Sequence, residues 1–359
     1  MIMSTRNFVS LGIMTGTSLD GVDLSIIKSD GCNNVIFLGG KTFAFDSYLK
    51  RSIISILGSK RRDSVIDIIE RKYTDYIIRK ISHFLKLRKE KIDIIGFHGQ
   101  TITHNPKLKF SWQLGDANRI YNFFKTKTVY DFRSNDIING GCGAPLTPIF
   151  HRLLKNKYKM KNVIFINLGG ISNLTYVANN STIKAFDCGP CCSILNDLIK
   201  NKLNKSFDLN GHLALRGKTN FKIVNSLLKN DYFEIKPPKS LDRMEIETDQ
   251  LYNLDICDAL ATANTFIAET IFVGITKFIN DFDDIIILGG GRKNKDLIKK
   301  IKNKFDKKIL IAENLGIDGD LAEASAFAYL AIRSIKKLPI SFPETTGVLK
   351  PVSGGKIVK

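Results

Sequence analysis

A chain of 359 residues is too long for one ordinary core, and 43% hydrophobic with 25% charged residues is the composition of a folded protein. The formal charge of +19 points first to nucleic acid, but the lysines are scattered, as over Lys295–Lys308, beside abundant Ile and Asn and with no nucleic-acid motif. Residues 1–10 lack an apolar run of signal-peptide length and no stretch approaches the ~20 apolar residues of a membrane span, so a cytoplasmic setting is expected, with neither membrane nor nucleic acid as partner.

In chain order, Phe8–Met14 reads as a strand and residues 15–18 as a turn. Val22–Ile27 and Val35–Phe45 follow as two further extended stretches. Tyr48–Leu57 and Ser64–Leu87 repeat apolar residues at helical spacing, and Ile92–Phe97 is a short buried strand. Asp116–Phe124 is helical, Thr128–Phe132 is a strand, and Pro145–Leu154 opens a helix with Pro near its first turn. The second half repeats this order. Strands are expected at Asn162–Leu168, Asn173–Val177 and Thr182–Phe186, then helical material over Cys191–Asn201 and Leu254–Asn280. The strand Asp284–Leu288, a helix around Asp296–Phe305, the strand Lys308–Ile311 and a helix over Gly319–Ile335 complete it. Two copies of one α/β plan predict duplicated mixed-sheet domains facing a cleft, where ligands gather. Lys205–Gln250, with Pro237-Pro238, reads as an inserted loop or cap in the second copy.

Glycine turns mark equivalent places in the two copies. In Met14-Thr15-Gly16-Thr17-Ser18-Leu19-Asp20-Gly21-Val22-Asp23, the glycines let backbone N–H groups approach phosphate oxygens, and the hydroxyls add donors. A Walker Lys is missing and a strand follows instead of a helix, so this is another kind of phosphate turn, or a plain hairpin. Asp20 or Asp23 is the carboxylate able to hold Mg²⁺ through water. Gly169, Gly170, Ser172 and Asn173 repeat that chemistry in the second copy. Gly289, Gly290, Gly291 and Asn294 lie between an apolar strand and a helix, where a flat ring or phosphate can come close. Together these features predict a phosphotransferase that binds ATP with Mg²⁺.

Acids and bases at strand ends supply the rest. Asp187 follows a short apolar strand just before a helix, suiting a general base or, equally in kind, a helix N-cap. Glu323 is a lone acid on a small, apolar helix, costly there unless used or paired. Arg133 can clamp a carboxylate in two-pronged fashion. His98 is too isolated for a metal ligand, which leaves hydrogen bonding or packing. Cys188, Cys191 and Cys192 lack the further Cys or His that would complete a zinc site, and the six cysteines are too sparse for a disulfide framework.

These motifs resemble the anhydro-N-acetylmuramic acid kinases, of the actin, Hsp70 and sugar-kinase superfamily. The likeness runs almost end to end: Met14–Asp23, Gly96–Thr101, Trp112–Asp116, Asp131–Ser134 with Asp136-Ile137, Gly140–Leu146, Asn167–Leu174, Phe186–Pro190, Leu288–Asn294 and Glu323–Leu330. The resemblance implies duplicated RNase H-like (actin-like ATPase) domains with mixed five-stranded sheets flanked by helices and a central ATP cleft. Its first lobe would be 1–134 completed by 340–359, and its second 135–339 with the insertion at about 205–250. It implies a homodimer that uses ATP and water to open 1,6-anhydro-N-acetylmuramate and phosphorylate O6, in cell-wall recycling. Asp187 would be the base and Glu323 the second acid. His98, Gln100, Thr101 and Arg133 would bind the sugar, and Gly16, Thr17, Ser18, Leu19, Asp20, Gly21, Val22 and Asp23 the nucleotide. The family usually continues its catalytic Asp as Thr-Gly-Pro-Gly-Asn, whereas this chain reads Cys188-Gly189-Pro190-Cys191-Cys192, losing a hydroxyl, a flexible glycine and an amide. Were a positive φ needed at Cys191, it would be strained. The alternative reading is an actin-like nucleotide-binding regulator whose sugar kinase activity is lost or altered.

Overall fold

The computed structural model describes residues 6–16, 19–180, 182–241 and 246–359, backbone only at Lys107; the expected nucleotide contacts Thr17 and Ser18 lie outside the described residues. Strands β1 (Phe8–Thr15), β2 (Gly21–Ser29) and β3 (Val35–Ala44) precede helices α1 (Ser47–Ile54) and α2 (Ser64–Leu85). Then come β4 (Ile94–Asn105), β5 (Phe110–Leu114), α3 (Ala117–Phe124), β6 (Lys127–Tyr130), α4 (Ser134–Ile138) and α5 (Pro148–Lys157). β7 (Val163–Leu168), β8 (Ile171–Val177) and β9 (Ile183–Pro190) lead into α6 (Cys192–Leu203), α7 (Phe221–Leu227) and α8 (Ile256–Phe278). β10 (Asp284–Leu288), α9 (Lys295–Lys302), β11 (Lys308–Ile311), α10 (Ala322–Ile335), α11 (Pro343–Thr346) and β12 (Lys356–Val358) follow. The first three helices share one start signal. Asp46, Asp63 and Asp116 accept the N–H groups of Leu49, Ile66 and Arg119, satisfying donors that a helix start otherwise leaves unpaired.

The chain divides into two compact units, one of Met1–Lys157 with Asp320–Lys359 and one of Tyr158–Gly319. Each contains the same mixed sheet. In the first unit the order is β3-β2-β1-β4-β6, with β1–β2 and β2–β3 antiparallel and β1–β4 and β4–β6 parallel. In the second it is β9-β8-β7-β10-β11 with the same directions. This is the expected duplicated RNase H-like α/β plan, with mixed sheets flanked by helices. The first sheet departs from the five expected strands: among the described residues it has seven, because β5 pairs with a long β4 and β12 pairs with β6.

The unit boundaries differ from the sequence reading, which gave 135–157 and 320–339 to the second lobe. Helix α10 belongs with the first sheet for a steric reason. A Cβ on Gly12 of β1 would lie 1.8 Å from the Ala324 carbonyl oxygen, and one on Gly96 of β4 would lie 2.4 Å from that of Phe327. Two strand glycines and an alanine-rich helix face thus bring backbones closer than any larger pair allows, and the Ser25 and Ser325 hydroxyls meet at 2.8 Å. Gly12→Ala is expected to cost about 3 kcal/mol, the upper end of overpacking penalties. That corresponds to a fall in Tm of roughly 6–12 °C, readable by thermal melting.

In the second unit α8 lies in the core with Ala259, Ala263, Phe266, Ile267 and Ile271 buried. By length and composition it is long and apolar enough to cross a membrane, which the sequence reading missed, and 67% of its most apolar stretch is buried in the protein. The segment expected to be an inserted cap is likewise part of this core. Val224, Leu227, Tyr232, Phe233 and Leu241 are all buried in the same cluster as β7, β9 and α8.

Candidate functional site

In the first unit the glycine turn joins β1 to β2. Leu19 takes a left-handed φ of 55° and donates its N–H to the Gly16 carbonyl at 3.2 Å. Gly21 is required by crowding, since a Cβ there would come 2.3 Å from the Phe43 carbonyl oxygen. Asp20 is 66% exposed at its side chain and pairs with Lys50 at 3.1 Å, and Asp23 accepts the Thr42 hydroxyl at 2.5 Å. Val22 is buried in the core beneath the turn. Gln100 lies fully buried midway along β1's parallel neighbour β4, its amide 3.3 Å from the Gly16 carbonyl; its Oε1 has no hydrogen-bond partner among the described residues. Thr101, next along β4, accepts the Gln113 amide at 3.4 Å.

Three of the predicted site residues come together in this unit. His98, only 3% exposed, directs Nδ1 at the Gly99 carbonyl at 2.8 Å, and Nε2 accepts from Arg133 at 2.9 and 3.1 Å. That fixes the neutral tautomer with its proton on Nδ1. Burial, then the Arg133 charge, holds the imidazole well below its ordinary pKa. Arg133 also donates to the Gly143 carbonyl at 2.6 Å. Glu323, at the start of α10, sits within the field of Arg133; burial raises its carboxyl above the ordinary range while the guanidinium pulls it down. A further residue, unassigned from sequence, organises the loop beneath. Buried Asp136 accepts the Gly143 N–H at 2.5 Å and the Thr346 hydroxyl, and a Cβ on Gly141 would strike its carboxylate at 2.1 Å. The sole sequence signal was its inclusion in the shared Asp131–Ile137 stretch.

In the second unit Asp187 is not at a strand end. β9 continues to Pro190, Asp187 pairs with Asn173, and the α6 N-cap is Cys191, so the capping alternative for Asp187 falls away. The segment 231–241 surrounds it instead. The Asp187 N–H donates to the Lys239 carbonyl at 3.1 Å, and Oδ2 accepts the Leu241 N–H at 2.9 Å. The Tyr232 hydroxyl donates to the Asp187 carbonyl at 2.8 Å. Neither Lys239 nor Tyr232 was singled out in the sequence, because both fall in the stretch that reads as an insertion.

The second glycine turn is held by the helix that follows it. Gly169 and Gly170 carbonyls accept the N–H groups of Cys192, Cys191 and Ser193 at 2.9–3.1 Å, and Ser172 donates to the Gly189 carbonyl at 3.0 Å. Cys191 has φ −138°, so the glycine-to-cysteine change meets no positive-φ requirement. The Cys188 and Cys191 thiols are buried and pushed far up, Cys188 by burial and Cys191 by its Cys192 contact and burial, which keeps them protonated. In the third run Gly289 takes φ 79°, and a Cβ there would lie 2.3 Å from Asn167 Oδ1. Gly290 faces open space, Gly291 packs on Leu168, and Asn294 caps α9 through the Leu297 N–H at 3.1 Å. No group of three or more metal-ligating side chains exists among the described residues.

A doubled 3-2-1-4-5 mixed sheet, with a glycine turn between the first two strands of each copy, is the plan of the sugar-kinase class of phosphotransferases. The model of the family "Anhydro-N-acetylmuramic acid kinase" matches residues 8–359, and the chain belongs to that family. It is 41% identical over 369 residues to the anhydro-N-acetylmuramic acid kinase of Pelagibacter ubique, covering 98% of each chain. Against that of Zymomonas mobilis it is 36% identical over 365 residues, covering 97% of this chain and 99% of the relative. Among solved structures, Acidaminococcus fermentans (R)-2-hydroxyglutaryl-CoA dehydratase component A aligns with TM-score 0.48 at 12% identity, over 92% of this chain and 100% of that one.

Proposed function

We propose that the chain phosphorylates 1,6-anhydro-N-acetylmuramate with ATP and water, giving N-acetylmuramate 6-phosphate and ADP in cell-wall recycling. The observation that carries this reading is the Arg133 guanidinium, held by neutral His98 and the Gly143 carbonyl beside Glu323. A neutral imidazole adds no opposing charge, the Arg133 guanidinium attracts the sugar's lactyl carboxylate, and Glu323 holds a sugar hydroxyl. The buried Gln100 Oε1 lacks a donor among the described residues, a need that a sugar hydroxyl meets. Thr101 adds a hydroxyl on the same strand.

Asp187 acts as general base, taking a proton from the water that attacks the anomeric carbon while the released O6 accepts the γ-phosphoryl group. Gly16–Asp23, with Gly169, Gly170, Ser172, Asn173, Gly289–Gly291 and Asn294, contribute backbone and amide donors to the nucleotide. A single exposed carboxylate suffices for Mg²⁺, which keeps most of its waters and arrives on the phosphates; Asp20, exposed and with hard oxygens that Lys50 would share, fits that role. When bound, the ion neutralises phosphate charge. We assign the protein to the cytoplasm as a homodimer acting on small molecules, with α8 serving as a core helix.

The test is ADP release with 1,6-anhydro-N-acetylmuramate, with and without Mg²⁺, beside a panel of other amino sugars. ADP release that depends on the anhydrosugar and the metal is expected. Nucleotide binding without sugar-dependent ADP release would sink the proposal.

A further inference from the structure

The geometry points to Lys239 as a positioning residue for Asp187, acting through a closed ring of hydrogen bonds; this rests on Asp187 being the base. Lys239 is 8% exposed, and its ammonium donates to the Tyr232 carbonyl at 2.8 Å. It also lies 4.3 Å from the Tyr232 ring centroid and 5.2 Å from that of Phe278. The Tyr232 hydroxyl binds the Asp187 carbonyl, the Asp187 N–H binds the Lys239 carbonyl, and the Leu241 N–H, two residues on, binds the Asp187 carboxylate. The lysine therefore ties both ends of the 232–241 segment to each other, and that segment fixes both the backbone and one carboxylate oxygen of Asp187. A buried ammonium is an expensive fastener, since an uncharged side chain of the same length would fill the space at lower desolvation cost. The Tyr232 carbonyl, two ring faces and the nearby acids Asp187 and Glu234 offset part of that cost, while the Lys277 charge adds to it.

The consequence is an effect on kcat. Asp187 must meet the attacking water in one orientation, and errors near 1 Å cost rate without touching sugar binding elsewhere. Lys239→Met, which keeps the stem and deletes the ammonium, is expected to lower kcat at least tenfold with the sugar KM within about twofold. Lys239→Arg, which restores charge and a donor, should recover most of that loss. Tyr232→Phe, which deletes one bond of the ring and keeps the aromatic face, should fall between them. Asp187→Asn is measured alongside. Wild-type kcat in a folded Lys239→Met, with turnover lost in Asp187→Asn, overturns the positioning role and leaves the base in place. Turnover retained in Asp187→Asn removes the base and Lys239's role with it. If Lys239→Met shows no cooperative melting, Tyr232→Phe decides, and wild-type kcat there overturns the proposal.

Discussion

Asp187→Asn is expected to lower kcat by about 10³-fold or more while ATP affinity stays within a few-fold of wild type. A positioned base contributes roughly 10²–10⁴ in rate, and Asp187 is the group proposed to take the proton from the water attacking the anomeric carbon. The bonds from Tyr232 and to Lys239 run through the Asp187 main chain, so they survive any side-chain change. Its Oδ2 accepts the Leu241 N–H, and an amide oxygen can accept that bond equally well. A folded protein with bound nucleotide and no turnover is therefore the expected result. The measurements are sugar-dependent ADP release, nucleotide titration and melting temperature. Turnover near wild type would remove Asp187 as base, and loss of nucleotide binding would show damage beyond the proton transfer.

How far the sequence carried the fold depends on where local signals ended. β1, β2, β7 and β10 are apolar runs bounded by turn residues, and each lies where periodicity placed it within a residue or two. β4 was read as a short strand ending at Phe97 because Gln100, Thr101, Thr103 and His104 break the apolar pattern. The backbone continues to Asn105 since β5 pairs alongside it. β9 was ended at Phe186 by the Gly189-Pro190 pair, yet pairing of Ile171 with Pro190 carries the strand past both. That one misread terminus made Asp187 look like a cap.

Long-range fit was the other blind spot. The alanines of α10 are legible as a close-packing face, but nothing near them says that Gly12 and Gly96, over 200 residues earlier, are the matching seat. The helix was therefore given to the lobe that precedes it in sequence. The segment 205–250 carries the opposite kind of signal. Its polar surface and Pro237-Pro238 read as an insertion, while its scattered Tyr232, Phe233 and Leu241 are core residues. Of the candidate site, Asp187, Glu323, Arg133 and His98 were all legible as residues. Their neighbours Asp136, Gly143, Lys239 and Tyr232 were not, because only the fold brings that carboxylate, those main-chain carbonyls and that hydroxyl into place.

Arg133→Met is expected to reduce kcat/KM for the sugar by about 10²-fold or more, most of it in KM, as loss of a buried charge-assisted contact costs roughly 2–5 kcal/mol. His98 cannot substitute, since its neutral Nε2 accepts from the guanidinium and its low pKa keeps it uncharged at neutral pH. The same change should act on Glu323. Burial already raises that carboxyl and only the Arg133 charge opposes it, so in Arg133→Met it should rise further. The sign of the stability effect follows. A carboxyl whose folded pKa lies above its unfolded value favours folding fully below the unfolded pKa, and that contribution is lost as pH rises through the folded pKa. Glu323 is thus a liability to the fold at neutral pH. Glu323→Gln should raise Tm at pH 8, the gain shrinking as pH falls toward 4.5, the carboxyl's ordinary value, while turnover drops. The gain should be larger in the Arg133→Met background, where nothing offsets the buried charge. Melting curves from pH 4.5 to 8 on the two single variants and the double, with sugar KM for each, test it. A Glu323→Gln protein less stable than wild type at pH 8 would mean that the carboxylate is held by structural contacts, and that its role is to support the fold rather than to hold the sugar.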